Sequence, residues 1–117
     1  MYESFQDMPV WKNSNSNAVD VFHVSSKFPR SEDYGLTSQI RRASNSVSGN
    51  IAEAFGRRTK KDKANFYVFA RGSAYETQSH ILYGRDVGYI GTEKTDELLD
   101  KYNKLIFEIN KIISALR

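Results

Sequence analysis

The residues of this chain best placed to do chemistry are cations. The run Arg57-Arg58-Thr59-Lys60-Lys61-Asp62-Lys63 gathers five of them into seven positions. Clustered Lys and Arg displace counterions from a nucleic-acid backbone, so the run reads as a phosphate-contacting loop for RNA or DNA. Backbone N–H groups at the start of a following helix would add anion affinity. Three of the cations would lie against the positive end of that helix, a small cost that a bound polyanion relieves. The competing reading is a solvated surface turn.

A second group is polar. Arg42, Ser46, Asn50 and Glu53 are spaced four, four and three apart and so share one helical face. Gly72, Ser73 and Glu76 offer a small, polar counterpart later in the chain. Glu53 with Glu76 would be the acid/base pair if the protein were a hydrolase. Structural pairing, for instance of Arg42 with Glu76 within a protomer or across an interface between copies, is the better reading, because buried polar groups need partners. No catalytic residue is assigned.

Cofactor and metal chemistry finds little support. There is no cysteine, so disulfides and thiolate metal sites are excluded. His23 and His80 lie far apart. Asp20 three before His23 and Glu76 four before His80 suit isolated ion pairs, not a metal site. The Arg71 to His80 separation is too long for the Arg-His motif of helical HEPN-type ribonucleases. Gly49, Gly56 and Arg57 lack the Gly-Lys-Ser/Thr ending of a phosphate loop and lie within a helical pattern. We expect neither cofactor nor metal.

Aromatic residues follow the basic run at Phe66, Tyr67 and Phe69. Stacking on unpaired bases is one reading; core packing is the expectation for Phe66 and Phe69. Tyr67, Tyr75 and Tyr83, eight apart, form a line that suits an interface between copies as well as plain exposure.

These residues must be positioned by a chain of 117 residues, the size of one domain. Residues 1–56 carry five Lys/Arg and six Asp/Glu, residues 57–91 carry seven and three, and residues 92–117 five of each. The whole excess of positive charge therefore lies in the middle stretch, milder than in a dedicated nucleic-acid binder. No apolar stretch approaches the ~20 residues that span a bilayer, and the N-terminus has no signal-peptide pattern. A cytoplasmic protein with no membrane partner is expected.

Both prolines, Pro9 and Pro29, lie early, and long proline-free stretches with a period near 3.6 predict helices. Helix 1 is expected over about 8–27, with Trp11, Ala18, Phe22 and Ser25 on one face. Its Asn13–Asn17 run is weakly helical, so a start only near Ala18 stays open. Pro29 ends that segment. Helix 2 is expected over 34–55 on Leu36, Ile40, Ala43, Val47, Ile51 and Ala54. Thr59 with Asp62 forms a capping box opening helix 3, over 60–87, with Gly88 as its left-handed end. Its stripe is read as Phe66, Phe69, Ala70, Ala74, Ile81 and Leu82. Thr92 is expected to cap helix 4, over 93–116, on Leu98, Tyr102, Leu105, Ile109, Ile112 and Leu116. Four amphipathic segments with short connections predict an all-α, antiparallel up-down-up-down four-helix bundle.

Three segments go beyond patterning. They are Phe28-Pro29-Arg30-Ser31-Glu32-Asp33-Tyr34-Gly35-Leu36; Gln39-Ile40-Arg41-Arg42-Ala43-Ser44 continuing through Asn50-Ile51-Ala52-Glu53 to Gly56-Arg57-Arg58; and Ala70-Arg71-Gly72-Ser73-Ala74-Tyr75-Glu76 followed by Gly88-Tyr89-Ile90. Together they resemble the four-helix-bundle proteins encoded in intervening sequences of bacterial 23S ribosomal RNA, over about residues 11–117. The resemblance implies a protomer that assembles into a homo-oligomeric ring, commonly a homopentamer. A related branch, the accessory proteins of diversity-generating retroelements, engages a reverse transcriptase and nucleic acid. No reaction comes with the resemblance. Ala54 stands where many members have glycine, and the Asn-rich first helix is unusually polar. The leading expectation is a non-enzymatic oligomer that binds nucleic acid at the helix 2–3 corner. A protein–protein scaffold is second, and a small ribonuclease third.

Overall fold

The computed structural model describes residues 2–117, and among them there are four α-helices and no strands. α1 spans Pro9–Ser25, α2 Leu36–Phe55, α3 Lys60–Asp86 and α4 Thr92–Leu116. The longest, α3, accounts for most of the 43 Å long dimension at about 1.5 Å per residue. α2 lies against α1 and α3, α3 against α4, and α1 closes onto α4. Among the described residues no helix is long and apolar enough to cross a membrane.

α1 starts at Pro9, whose missing N–H suits the first helical position, and it runs without a break through the Asn/Ser stretch. The later start near Ala18 is therefore corrected. Its buried face is also set differently from the expected one: Val10, Ser14, Asn17, Val21 and Ser25 point inward, while Phe22 is half exposed. The polar run has partners. The Ser14 hydroxyl donates to the Trp11 carbonyl at 2.8 Å, Asn17 donates to the Lys101 carbonyl at 3.4 Å, and Asn13 donates to Glu108 at 3.1 Å. Asp20, considered for His23, instead accepts from Lys101 at 2.7 Å. Two of these weak helix formers, Asn13 and Asn17, thus meet α4 as hydrogen-bonding groups.

Between α1 and α2, Pro29 ends the first segment and Glu32 organises the turn. One carboxylate oxygen accepts from the Leu36 N–H at 3.1 Å, so Glu32 does the work of an N-cap for α2. The other accepts from the Tyr89 hydroxyl at 2.8 Å, which holds that phenol above its ordinary pKa range. The α2 stripe is as expected: Leu36, Ile40, Ala43, Val47, Ile51 and Ala54 are all buried. The helix begins at Leu36, two residues later than expected, and Tyr34 stands fully in solvent.

The Thr59 hydroxyl accepts from the Asp62 N–H at 3.1 Å and opens α3, and Gly88 closes it with φ +87°. The buried face of α3 keeps Ala70, Ala74 and Ile81 from the stripe read in the sequence and differs in the rest. Ala64, Tyr67, Ala70, Ala74, Thr77, Ile81 and Gly84 are inside, Phe66 is partly buried and Phe69 is exposed. α3 touches both α2 and α4, and close approach on two sides favours small side chains. Near its end Gly84 makes room for Ile90 of the turn before α4, whose side chain a Cβ would approach within 2.8 Å. α4 is preceded by Gly91 in the capping position, so Thr92 is the first helical residue, not the cap. Leu98, Tyr102, Leu105 and Ile109 are buried as expected, but Ile106 and Ile113 join them while Ile112 and Leu116 are only partly covered. A seven-residue repeat drifts by about 20° per heptad on a straight helix, which rotates the seam toward those positions.

Candidate nucleic-acid interface

The basic run lies where α2 ends and α3 begins, and its five cations have different neighbours. Gly56 finishes α2, leaving the last carbonyls of that helix without intrahelical donors. Lys63, from the first turn of α3, supplies them: its ammonium donates to the carbonyls of Ala54 and Phe55, each at 3.2 Å. A cation at a helix C-terminus is favourable on charge as well. Lys63, expected among the phosphate contacts, is therefore engaged within the protein. Arg57 donates to Glu53 Oε1 at 2.9 Å, and its guanidinium lies 4.4 Å from the centre of the Phe66 ring.

Arg58, Lys60 and Lys61 differ from these two. All three are exposed, and among the described residues none forms an ion pair or a side-chain hydrogen bond within the chain. Lys60 and Lys61 border an open cleft of about 450 Å³ with Ala64, Asn65, Leu116 and Arg117. Asn65 and Arg117 were not singled out in the sequence; the i,i+4 step from Lys61 to Asn65 was the available signal for one, and nothing local points to the other.

The polar face of α2 is brought together in part. The Ser73 hydroxyl meets the Ser46 hydroxyl at 3.1 Å, and the Asn50 amide donates to the Ser46 carbonyl at 2.9 Å and to its hydroxyl at 3.2 Å. Glu53 and Glu76 are each tied to a partner four residues on, Glu53 to Arg57 just beyond the end of α2 and Glu76 to His80 within α3 at 3.2 Å. The expected Arg42–Glu76 pair does not form within the protomer. Arg42 is exposed and borders a groove of about 630 Å³ between α1 and α2, beside Val19, Phe22, Arg41 and Asn45. Arg41 braces that groove: it donates to Ser25 at 2.8 Å and Ser26 at 3.1 Å and lies 4.2 Å above the Phe22 ring.

Among the aromatics, the line Tyr67-Tyr75-Tyr83 is broken at its first member. Tyr67 is buried, and burial, followed by the nearby Glu108 carboxylate, pushes its pKa up to about 12. Tyr75 and Tyr83 are exposed. Phe69, expected inside, faces solvent and packs edge-on against Phe66 at 5.4 Å. No cluster of three or more potential metal ligands occurs among the described residues.

The chain matches the 23S rRNA-intervening sequence protein family over residues 6–111. Among solved structures it is similar to a protein of unknown function from the S23 ribosomal protein family of Bacteroides thetaiotaomicron. That similarity has a TM-score of 0.82 at 22% identity and covers 89% of this chain and 97% of that one. No curated protein matches.

Proposed function

We propose, for a chain that belongs to the 23S rRNA-intervening sequence protein family, a non-enzymatic role: holding a nucleic-acid backbone, RNA or DNA, at the corner between α2 and α3. The observation that carries this reading is the division among the five cations. Two are engaged by Glu53 and by the end of α2, while Arg58, Lys60 and Lys61 stand in water beside a cleft, at the one stretch of the chain with excess positive charge. Unpaired cations repel one another and the helix end behind them, and a polyanion relieves both costs. A non-catalytic role is supported by the two candidate carboxylates, each held by its own i+4 partner.

The same reading takes the helices as antiparallel, up-down-up-down. Contacts between α1 and α4 favour this, since Asn13 meets Glu108 while the later Asn17 meets the earlier Lys101. Between α3 and α4 the order reverses likewise, Arg71 with Asn110 and Gln78 with Asn103. The cytoplasm, where RNA is at hand, is the proposed compartment.

The test is a titration of labelled RNA at several salt concentrations. Log affinity is expected to fall linearly with log salt, by about 0.7 for each phosphate held in a single strand. Binding that ignores salt, or none at low salt, removes this function.

A second reading, a protein–protein scaffold made of copies of this chain, is favoured by charge complementarity. The α1/α2 groove presents Arg41 and Arg42 beside Phe22 and Val19. On α4, Glu93, Asp96, Asp100, Asn103 and Phe107 are exposed at spacings of three, four, three and four, and Phe107 is 66% exposed. One face fitting a different face on the next copy builds a ring when the rotation closes, a homopentamer being the proposed form. Phe107→Ser is expected to reduce the mass measured by light scattering, and an unchanged mass would remove this second reading.

A further inference from the structure

Phe69 sits two turns along α3 from Lys61, with Asn65 midway, so the three form one ridge at i, i+4 and i+8. Successive members rise by about 6 Å along the helix. The ridge starts at the cleft shared by Lys60, Lys61 and Asn65. It ends on an aromatic ring that is 55% exposed and contributes little to the core. The ring is nonetheless held in place: Phe66 meets it edge-on with an interplanar angle of 89°, and the Arg57 guanidinium lies 4.4 Å from the centre of the Phe66 ring. Cation, amide and supported aromatic therefore follow one another along one exposed edge.

We propose that this ridge takes single-stranded nucleic acid, with phosphates at Lys60 and Lys61, a base edge at Asn65 and an unpaired base stacked on Phe69. The proposal rests on the nucleic-acid reading above and narrows its ligand. A duplex satisfies the cations equally well but offers Phe69 nothing, because its bases are already stacked on one another and the major groove of an RNA helix is too deep and narrow for side chains to read. An unpaired base has a free π-face of any sequence, and a fixed aromatic beside a basic groove is the arrangement that holds it. The Asn65 amide carries both donor and acceptor and suits a base edge more than a phosphate.

The experiment compares a labelled single-stranded RNA oligonucleotide with the same strand annealed to its complement, by fluorescence anisotropy, on the full chain. Light scattering follows particle mass in parallel. Phe69→Ala is expected to weaken the single strand by about tenfold and leave the duplex unchanged, and Phe69→Trp to restore single-strand binding. Equal losses on both ligands, no loss on either, or a smaller particle with unchanged binding would overturn the stacking site, the last placing Phe69 between copies. Absence of binding to either form by the wild-type protein would instead overturn the nucleic-acid reading itself.

Discussion

Replacing Arg58, Lys60 and Lys61 together by serine is expected to lower the affinity for RNA by about a hundredfold at 0.1 M salt. Each phosphate held in a single strand contributes about 0.7 to the salt slope. Three lost contacts change it by about two, which over the decade between 1 M and 0.1 M is two orders of magnitude. The fold should not suffer, because all three side chains are exposed and none is bonded among the described residues. Lys63→Ser is the matching control. It should leave RNA affinity close to that of the wild type while costing about 1 kcal/mol of stability, because it takes the ammonium from the Phe55 carbonyl and from the Ala54 carbonyl, which keeps only the Arg57 N–H. A triple variant that binds as tightly as the wild type would remove the corner as the binding site. If Lys63→Ser proved as damaging to binding as the triple variant, the division between engaged and free cations would be wrong.

Tyr102→Ala is expected to destabilise the protein by about 3–5 kcal/mol, as for large-to-small changes at other buried aromatics. The side chain is 0% exposed and lies on the α4 seam between Leu98 and Leu105. Since domains of this size are typically stable by about 5–15 kcal/mol, the loss would move a urea midpoint far down. Tyr102→Phe should behave in the opposite way. The buried hydroxyl has no hydrogen-bond partner, so removing it relieves a desolvation cost and leaves stability equal to the wild type or higher by about 1 kcal/mol. A pH dependence accompanies this. Burial, and then the Asp20 carboxylate, raise the Tyr102 pKa above the ordinary 10.0. A phenol that ionises less readily when folded contributes its full stability below pH 10.0 and loses it as pH rises, because only the unfolded chain gives up the proton there. Tyr67, pushed up to about 12, acts in the same direction. Stability should therefore fall above pH 10.0, and less steeply in Tyr102→Phe. Equal slopes in the two proteins would contradict the burial of this phenol.

Much of the fold was legible because its signals are local. The α2 stripe repeats every three or four residues, and all six of its expected members are buried. α3 was legible in extent and only partly in rotation, since Ala70, Ala74 and Ile81 are inside as expected. Phe66 and Phe69 outrank alanine in hydrophobicity, yet Ala64, Tyr67, Thr77 and Gly84 complete the inward face in their place, because this helix is packed on two sides. In α1 the difficulty was the reverse. Asn13 and Asn17 read as weak helix formers until α4 supplied Glu108 and Lys101 as their partners. At the candidate site, all five cations were visible as a run, while the difference among them was not. Nothing in the spacing of Lys63 distinguishes a ligand contact from a cap on the preceding helix.

By itself the chain determined that there would be helices and roughly where each would end. Pro9, Pro29, Thr59 and Gly88 act through backbone geometry and hydrogen bonds within a few residues, so their effect does not depend on distant partners. Tertiary structure alone decided which side of each helix met its neighbours. With that came which polar groups were satisfied, as with Glu32 by Tyr89, Asp20 by Lys101 and Ser46 by Ser73. It also decided which cations and which aromatic ring stayed in water. A rotation of one residue's width about a helix axis, 100°, leaves the periodicity of a sequence unchanged but exchanges its buried and exposed side chains.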